Sequence, residues 1–103
     1  CPCDLDANRD PEIDILAVDR RGDFVVIECK LRRGNPAIVG QLMGYMAWVR
    51  NNLAAEGQKV RGIAIVRSAA TLLKQLLAAH PELDIKLLEY SDDGKTHPVP
   101  LSS

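Results

Sequence analysis

The sequence predicts an α/β protein, a mixed β-sheet flanked by helices in the order β-β-α-β-α-β. Three observations predict it. Residues 13–30 hold two short, largely β-branched segments separated by Arg20-Arg21-Gly22, a hairpin signal. Two longer segments with apolar residues at helical spacing follow, each closed by a helix breaker. Between them lies Gly62-Ile63-Ala64-Ile65-Val66, an almost unbroken apolar run of the kind that forms a buried central strand. A hairpin followed by alternating helix and strand implies a mixed sheet with helices packed on it.

Each element has its own local reason. Residues 1–11 are polar and Asp-rich and read as an exposed lead-in. Ile13 to Val18 alternates, with Ile13, Ile15 and Ala17 on one face and Asp14, Leu16 and Val18 on the other. Asp19 to Asp23 is a turn, Phe24 to Lys30 is a second strand, and Leu31 to Gly34 reads as a basic loop. Asn35 is placed to cap a helix with Pro36 at its first position, running to about Glu56 before Gly57. Val60 to Arg67 is the third strand. Ser68 is expected to cap a second helix that ends at Ala79, ahead of Pro81. Asp84 to Tyr90 is the fourth strand. Residues 92–103 form a tail with a turn at Asp93-Gly94 and at most a short edge strand.

Composition narrows the function classes. A chain of 103 residues is expected to make one domain, 1–103, with one core. Apolar residues at 47% and charged residues at 26% argue against disorder, and no apolar run approaches a membrane span. Thirteen Lys and Arg against fourteen Asp and Glu give a net charge of −1, which excludes a strongly basic nucleic-acid wrapper but not a local basic track. Cys1, Cys3 and Cys29 are odd in number, so a disulfide framework is not expected and the chain reads as cytoplasmic. Cys1-Pro2-Cys3 lacks the second Cys or His pair that zinc requires. The chain begins without Met, so the expectation is that residues have been removed ahead of Cys1.

The hairpin register concentrates chemistry at one end. A three-residue loop with Gly last suits a type I turn followed by a bulge. If Asp19 faces Asp23, then Leu16 faces Val26, Asp14 faces Glu28 and Glu12 faces Lys30. Opposed residues have Cβ atoms roughly 4.5–5.5 Å apart, so Asp14 and Glu28 stand side by side on one face. Two such carboxylates repel unless a positive charge lies between them, and Mg²⁺, a hard cation that accepts one or two carboxylates, suits the position. Lys30, two residues further on, is expected to stay an ammonium and to stabilise a phosphate rather than act as a base. Glu-x-Lys at a strand end is commonly a solvated salt pair. Only the joint geometry with Asp14 points to a metal.

These residues carry a resemblance. Glu12-Ile13-Asp14-Ile15-Leu16-Ala17, a turn, then Val25-Val26-Ile27-Glu28-Cys29-Lys30 resembles the Asp…Glu-x-Lys signature of the PD-(D/E)xK nuclease superfamily. Gln41-Leu42-Met43-Gly44-Tyr45 matches the Gln-x-x-x-Tyr element of its RecB-like members. The longer string from Val39 to Val49 is similar to the catalytic domain of NucS-type (EndoMS) endonucleases. The resemblance covers roughly residues 12–67 and implies a restriction-endonuclease-like fold. It further implies that Asp14 and Glu28 bind the catalytic Mg²⁺ (with Mn²⁺ expected to substitute), helped by the Cys29 backbone carbonyl and, less firmly, by Glu12. Lys30 would then serve the attacking water or scissile phosphate, and Gln41 and Tyr45 would face the site or the nucleic-acid backbone. Superfamily members usually place a helix and a strand ahead of this hairpin. The expectation is that these were cut away, come from another chain, or are lacking in a catalytically incomplete copy.

Around this centre, Arg32 and Arg33 join Lys30 just before a helix N-terminus, where orphan N–H groups and the helix dipole favour phosphate. Gln41, Tyr45, Trp48 and Asn52 form one stripe at helical spacing. Val39, Leu42, Met43, Met46, Val49 and Leu53 are expected to pack the helix broadly on the sheet, with Gly40 and Gly44 permitting close backbone approach. Trp48 reads more readily as core than as site. Arg20, Arg21, Arg50, Lys59, Arg61 and Lys74 read as solvated charge, and His80 and His97 have no assigned role. The expected function is a metal-dependent nuclease acting on DNA, of repair, recombination or restriction type, with a homodimer or further domains as companions. The alternatives are a non-catalytic nuclease-fold module that binds nucleic acid or protein, and an unrelated regulatory α/β domain.

Overall fold

A computed structural model describes residues 12–101. The lead-in at 1–11, with its Cys1-Pro2-Cys3, lies outside the described residues. Five strands and two helices follow in order: β1 (Glu12–Val18), β2 (Phe24–Gly34), α1 (Ala37–Asn52), β3 (Val60–Ala69), α2 (Thr71–Ala79), β4 (Ile85–Tyr90) and β5 (Thr96–Pro98). A single 3₁₀ turn, Pro81–Leu83, joins α2 to β4. No helix among the described residues is long and apolar enough to cross a membrane.

The strands form one sheet in sequence order, β1-β2-β3-β4-β5. β1 pairs antiparallel with β2, β2-β3-β4 are parallel, and β4 pairs antiparallel with β5. This is the expected mixed sheet. Two parallel crossovers to successive neighbours, each right-handed as such units are, put both helices on the same face. There Val26, Val60, Ala64, Val66 and Leu87 share one cluster with Ile38, Val39, Leu42, Met46 and Val49 of α1 and Leu73 and Leu77 of α2. Fully burying each large aliphatic side chain contributes about 1.5–3 kcal/mol, so this one layer of contact dominates the fold. α1 lies directly on β3, because Gly62 leaves room where a Cβ would stand 2.9 Å from the Met46 sulfur.

Several boundaries differ from the sequence expectation. Leu31 to Gly34 is not a loop. β2 continues through it after an irregularity between Lys30 and Arg33, and Arg33 and Gly34 pair with Ser68 and Ala69. Ser68 is therefore strand rather than helix cap, and Ala70, in extended conformation, precedes α2 without a side-chain cap. α1 stops at Asn52 instead of reaching Glu56, since the N–H groups of both Leu53 and Ala54 converge on the Val49 carbonyl. β3 is buried on the helix face only, its alternate residues Ile63 and Ile65 being half-buried on the other. The tail does contain the short strand β5, after a turn in which Gly94 takes φ +79°.

Candidate metal and phosphate site

The site begins with the turn that sets the register. Gly22 adopts φ +87°, a conformation an L residue resists, and its N–H donates to the Asp19 carbonyl at 3.0 Å. The Asp19 N–H in turn donates to the Asp23 carbonyl at 2.9 Å. From that starting point the strands pair without a slip: Leu16 with Val26, Asp14 with Glu28, Glu12 with Lys30. The register argued from loop length holds along the whole of β1.

Glu28 lies on the helix face of the sheet. It is 1% exposed, and neither of its carboxylate oxygens reaches solvent. Lys30, two residues along the same face, is 9% exposed. A carboxylate is among the least frequently buried side chains, because burial strips its hydration. The position differs from the solvated strand end that a Glu-x-Lys sequence most often occupies. Its neighbour across the hairpin is a second acidic residue, Asp14, at a directly opposed position. A row of residues runs on from Glu28 to Ala64 and Leu87, both buried, so the acidic pair sits where an apolar layer gives way to the sheet edge.

The donor set at this position is hard oxygen. Cys29 lies on the opposite face, opposite Ile13 and Ile65, where burial pushes its thiol up and keeps it protonated. What Cys29 can offer the acidic pair is its backbone carbonyl. Two carboxylate residues and a carbonyl fit Mg²⁺ or Mn²⁺ better than zinc or copper. Among the described residues no three His, Cys, Asp or Glu side chains gather at a metal-binding distance.

The basic residues are placed differently from expectation. Arg32 and Arg33 belong to β2 rather than to a loop, Arg32 within its irregularity and Arg33 where pairing resumes. The start of α1 is less receptive to phosphate than orphan N–H groups would make it. Asn35 caps it: its side-chain oxygen accepts the Ala37 N–H at 2.9 Å, and the Ile38 and Val39 N–H groups donate to the carbonyls of Asn35 and Pro36. Those donors are taken. The helix dipole remains.

α1 also presents a different surface from the one expected. It buries Ile38, Val39, Leu42, Met46 and Val49, and leaves Met43 and Leu53 44% and 45% exposed. Gly40 and Gly44 face open space, with nothing within 4 Å of a Cβ built on either, so no close backbone approach occurs there. Gln41, Tyr45, Trp48 and Asn52 are all exposed, Trp48 by 55%, which overturns its reading as core. The reason is topological. α1 sits over β2 and β3, and the right-handed crossover turns this stripe toward β1, which no described helix covers. Gln41 and Tyr45 thereby flank the side of the sheet that carries Asp14 and Glu28.

Sequence reasoning missed Arg61. It is not plain surface charge: its guanidinium pairs with Asp19, whose carboxyl it holds below the usual range with help from the backbone N–H groups of Arg21 and Asp23. The signal was the acidic turn itself, which faces β3 through β2. His80 contacts Glu82, and His97 contacts Ser91, both at the exposed surface and away from the acidic pair.

Comparisons with known proteins give the chain a family and a fold likeness. The family described as the endonuclease NucS C-terminal domain matches residues 9–98. Endonuclease NucS of Pyrococcus furiosus is 37% identical over 83 residues, which make up 81% of this chain and 30% of the relative. The solved structure of EndoMS in apo form superposes with a TM-score of 0.61 at 33% identity, covering 80% of this chain and 34% of that one. EndoMS in complex with double-stranded DNA gives 0.55 at 36% identity, covering 72% and 29%. The chain thus spans about a third of the length of the relatives it matches.

Proposed function

This chain belongs to the endonuclease NucS C-terminal domain family, and we propose that it is a PD-(D/E)xK-type nuclease domain hydrolysing phosphodiester bonds in DNA. The observation that carries the reading is the pairing of Asp14 with a Glu28 that is 1% exposed, with Lys30 on the same face two residues away. Two acidic residues opposed at an apolar boundary are costly as a structural device and useful as a cation seat. That relatives are named endonucleases, and that one neighbour is solved with double-stranded DNA, supports the same reading.

Asp14, Glu28 and the Cys29 carbonyl would hold a Mg²⁺ ion, for which Mn²⁺ would substitute, with Glu12 as a further carboxylate nearby. When bound, such an ion polarises a phosphoryl oxygen and lowers the pKa of a coordinated water. The residues of the chain supply the rest. Lys30, held on a rigid strand and largely out of solvent, places a fixed ammonium beside the phosphate and offsets charge that develops during displacement. Arg32 and Arg33 continue the positive track along β2 and would orient the strand through its phosphates. Gln41 and Tyr45, on the flank of α1 turned toward β1, would position the water or the backbone by hydrogen bonds.

The test is cleavage of several DNA forms with Mg²⁺ or Mn²⁺. Asp14→Ala and Glu28→Ala should each lower the rate about a thousand-fold or more, the several kcal/mol that metal catalysis supplies. Undiminished cleavage in either variant overturns the reading. The second reading is a non-catalytic nucleic-acid-binding module. It is favoured if DNA binding persists in a wild-type chain that never cleaves.

A further inference from the structure

The side of α1 that faces β1 ends in a surface that hydrolysis at the acidic pair does not use. On the helix face of β1, Leu16 follows Asp14 by two residues, about 7 Å of strand, and Val18 follows Leu16 by two more. Their partners Val26 and Phe24 belong to or pack against the core, yet Leu16 is 45% exposed and Val18 59%. The cause is that α1 stops short of the sheet edge. On the same side of the sheet is the α1 flank that a right-handed crossover turns toward β1, Gln41, Tyr45, Trp48 and Asn52, with Tyr45 42% and Trp48 55% exposed. A floor of exposed β1 residues and a wall from this flank would bound an open cleft running toward the Asp14–Glu28 position.

The chemistry of this cleft selects its occupant. The stripe contains two amides and two aromatics and no charge, and the floor is branched aliphatic. Neither the stripe nor the floor itself offers a phosphate a cation. A flat, weakly polar group would find an indole to stack on, aliphatic contacts beneath, and the Gln41 amide at its edge, the Asn52 amide N–H being donated to the Trp48 carbonyl at 2.8 Å. Helical side chains lean toward the N-terminus, so Trp48 leans over the turn that carries Gly44, whose Cβ position has nothing within 4 Å. The indole is therefore not boxed in by its own helix. Trp48 also stands one turn from Tyr45, on the same flank as the residues expected to meet the backbone.

We propose that the α1–β1 cleft is a nucleobase subsite. Trp48 stacks on an unpaired base of the strand held at Asp14 and Glu28, and Leu16 and Val18 form its floor. The proposal rests on the nuclease reading for what occupies the inner end, and its test is independent of cleavage. Trp48 is the sole tryptophan, so its emission reports the cleft directly. The full chain, in EDTA so that nothing is cut, is titrated with a short oligo(dT) and with the same oligonucleotide bearing abasic positions.

Stacking predicts a saturable change in Trp48 emission with oligo(dT), and weaker binding with a smaller change for the abasic form. Trp48→Ala should bind oligo(dT) about ten-fold more weakly by anisotropy, and Trp48→Phe should restore most of the loss. Trp48 is exposed, so matched thermal melts of these variants separate binding from folding. Unchanged emission, equal affinity for the abasic strand, equal affinity of Trp48→Ala, or no binding by the chain overturns the subsite. Cleavage without an emission change would remove the subsite and leave the nuclease reading standing. An emission change without cleavage would do the reverse.

Discussion

The two ends of the β1–β2 hairpin each carry a pair of acidic residues across the strands, and the two pairs are used in opposite ways. At the turn end, Asp19 and Asp23 are consumed by the fold. Asp19 accepts the N–H groups of Arg21 and Asp23 and pairs with Arg61. Asp23 accepts the Lys59 N–H at 3.0 Å, while Gln58 reaches the Gly22 carbonyl at 2.7 Å. This end is tied to the segment before β3, and its charges are neutralised by named donors at the surface. At the open end, Glu28 is among the most buried side chains in the molecule, opposite Asp14, and Lys30 is nearly as buried. The difference teaches how to read acidic residues on one hairpin. Where backbone N–H groups and a guanidinium converge, the carboxylate is structural. Where two acidic residues are opposed in register and one is buried on the helix face, the position is the proposed cation seat.

Three further changes would sharpen or break this contrast. The largest expected effect belongs to the open end. Lys30→Ala should lower cleavage about a hundred-fold, as loss of a fixed charge beside a developing anion does, while divalent-ion binding persists. Steady-state rates with Mg²⁺ alongside a metal titration check this, and loss of both together would make Lys30 structural. At the turn end the effect should fall on stability alone. Gly22→Ala forces a Cβ into φ +87° and should cost about 1–2 kcal/mol in a denaturant melt, with cleavage per folded molecule retained. Asp19→Asn should do the same more mildly.

The smallest effect is in pH. The Asp19 carboxyl is held below its ordinary value, first by its hydrogen bond to Arg61. Its contribution is therefore complete above the unfolded carboxylate range, near pH 4, and is lost as pH falls through the lowered folded value. The wild-type melting temperature should drop more steeply below pH 4 than that of Asp19→Asn. Parallel curves would contradict the role given to the Asp19–Arg61 pair.

How much of this was legible in the sequence follows from what kind of interaction decides each feature. The Asp14–Glu28 opposition was legible because a three-residue loop ending in Gly22 leaves one sensible register, and strand periodicity carries it outward. The limits of β2 and α2 were not, because they depend on distant partners. Arg33 and Gly34 are strand only because Ser68 and Ala69 lie beside them, and Ser68 is thereby withdrawn from capping α2. Trp48 was misread for a related reason. Helical spacing shows which residues share a flank but not whether the sheet extends beneath that flank, and α1 ends its cover at β2. Burial of Glu28 was equally hidden, since alternation assigns a face but not what stands on it.

The central claim is that Asp14 and Glu28 form a cation seat. Calorimetric titration of Mn²⁺ into the wild-type chain, Asp14→Asn and Glu28→Gln tests it most directly. The predicted result is saturable binding in the wild type that disappears in both variants, each of which keeps its melting transition. Absence of binding in the wild type, or undiminished binding in either variant, would contradict it.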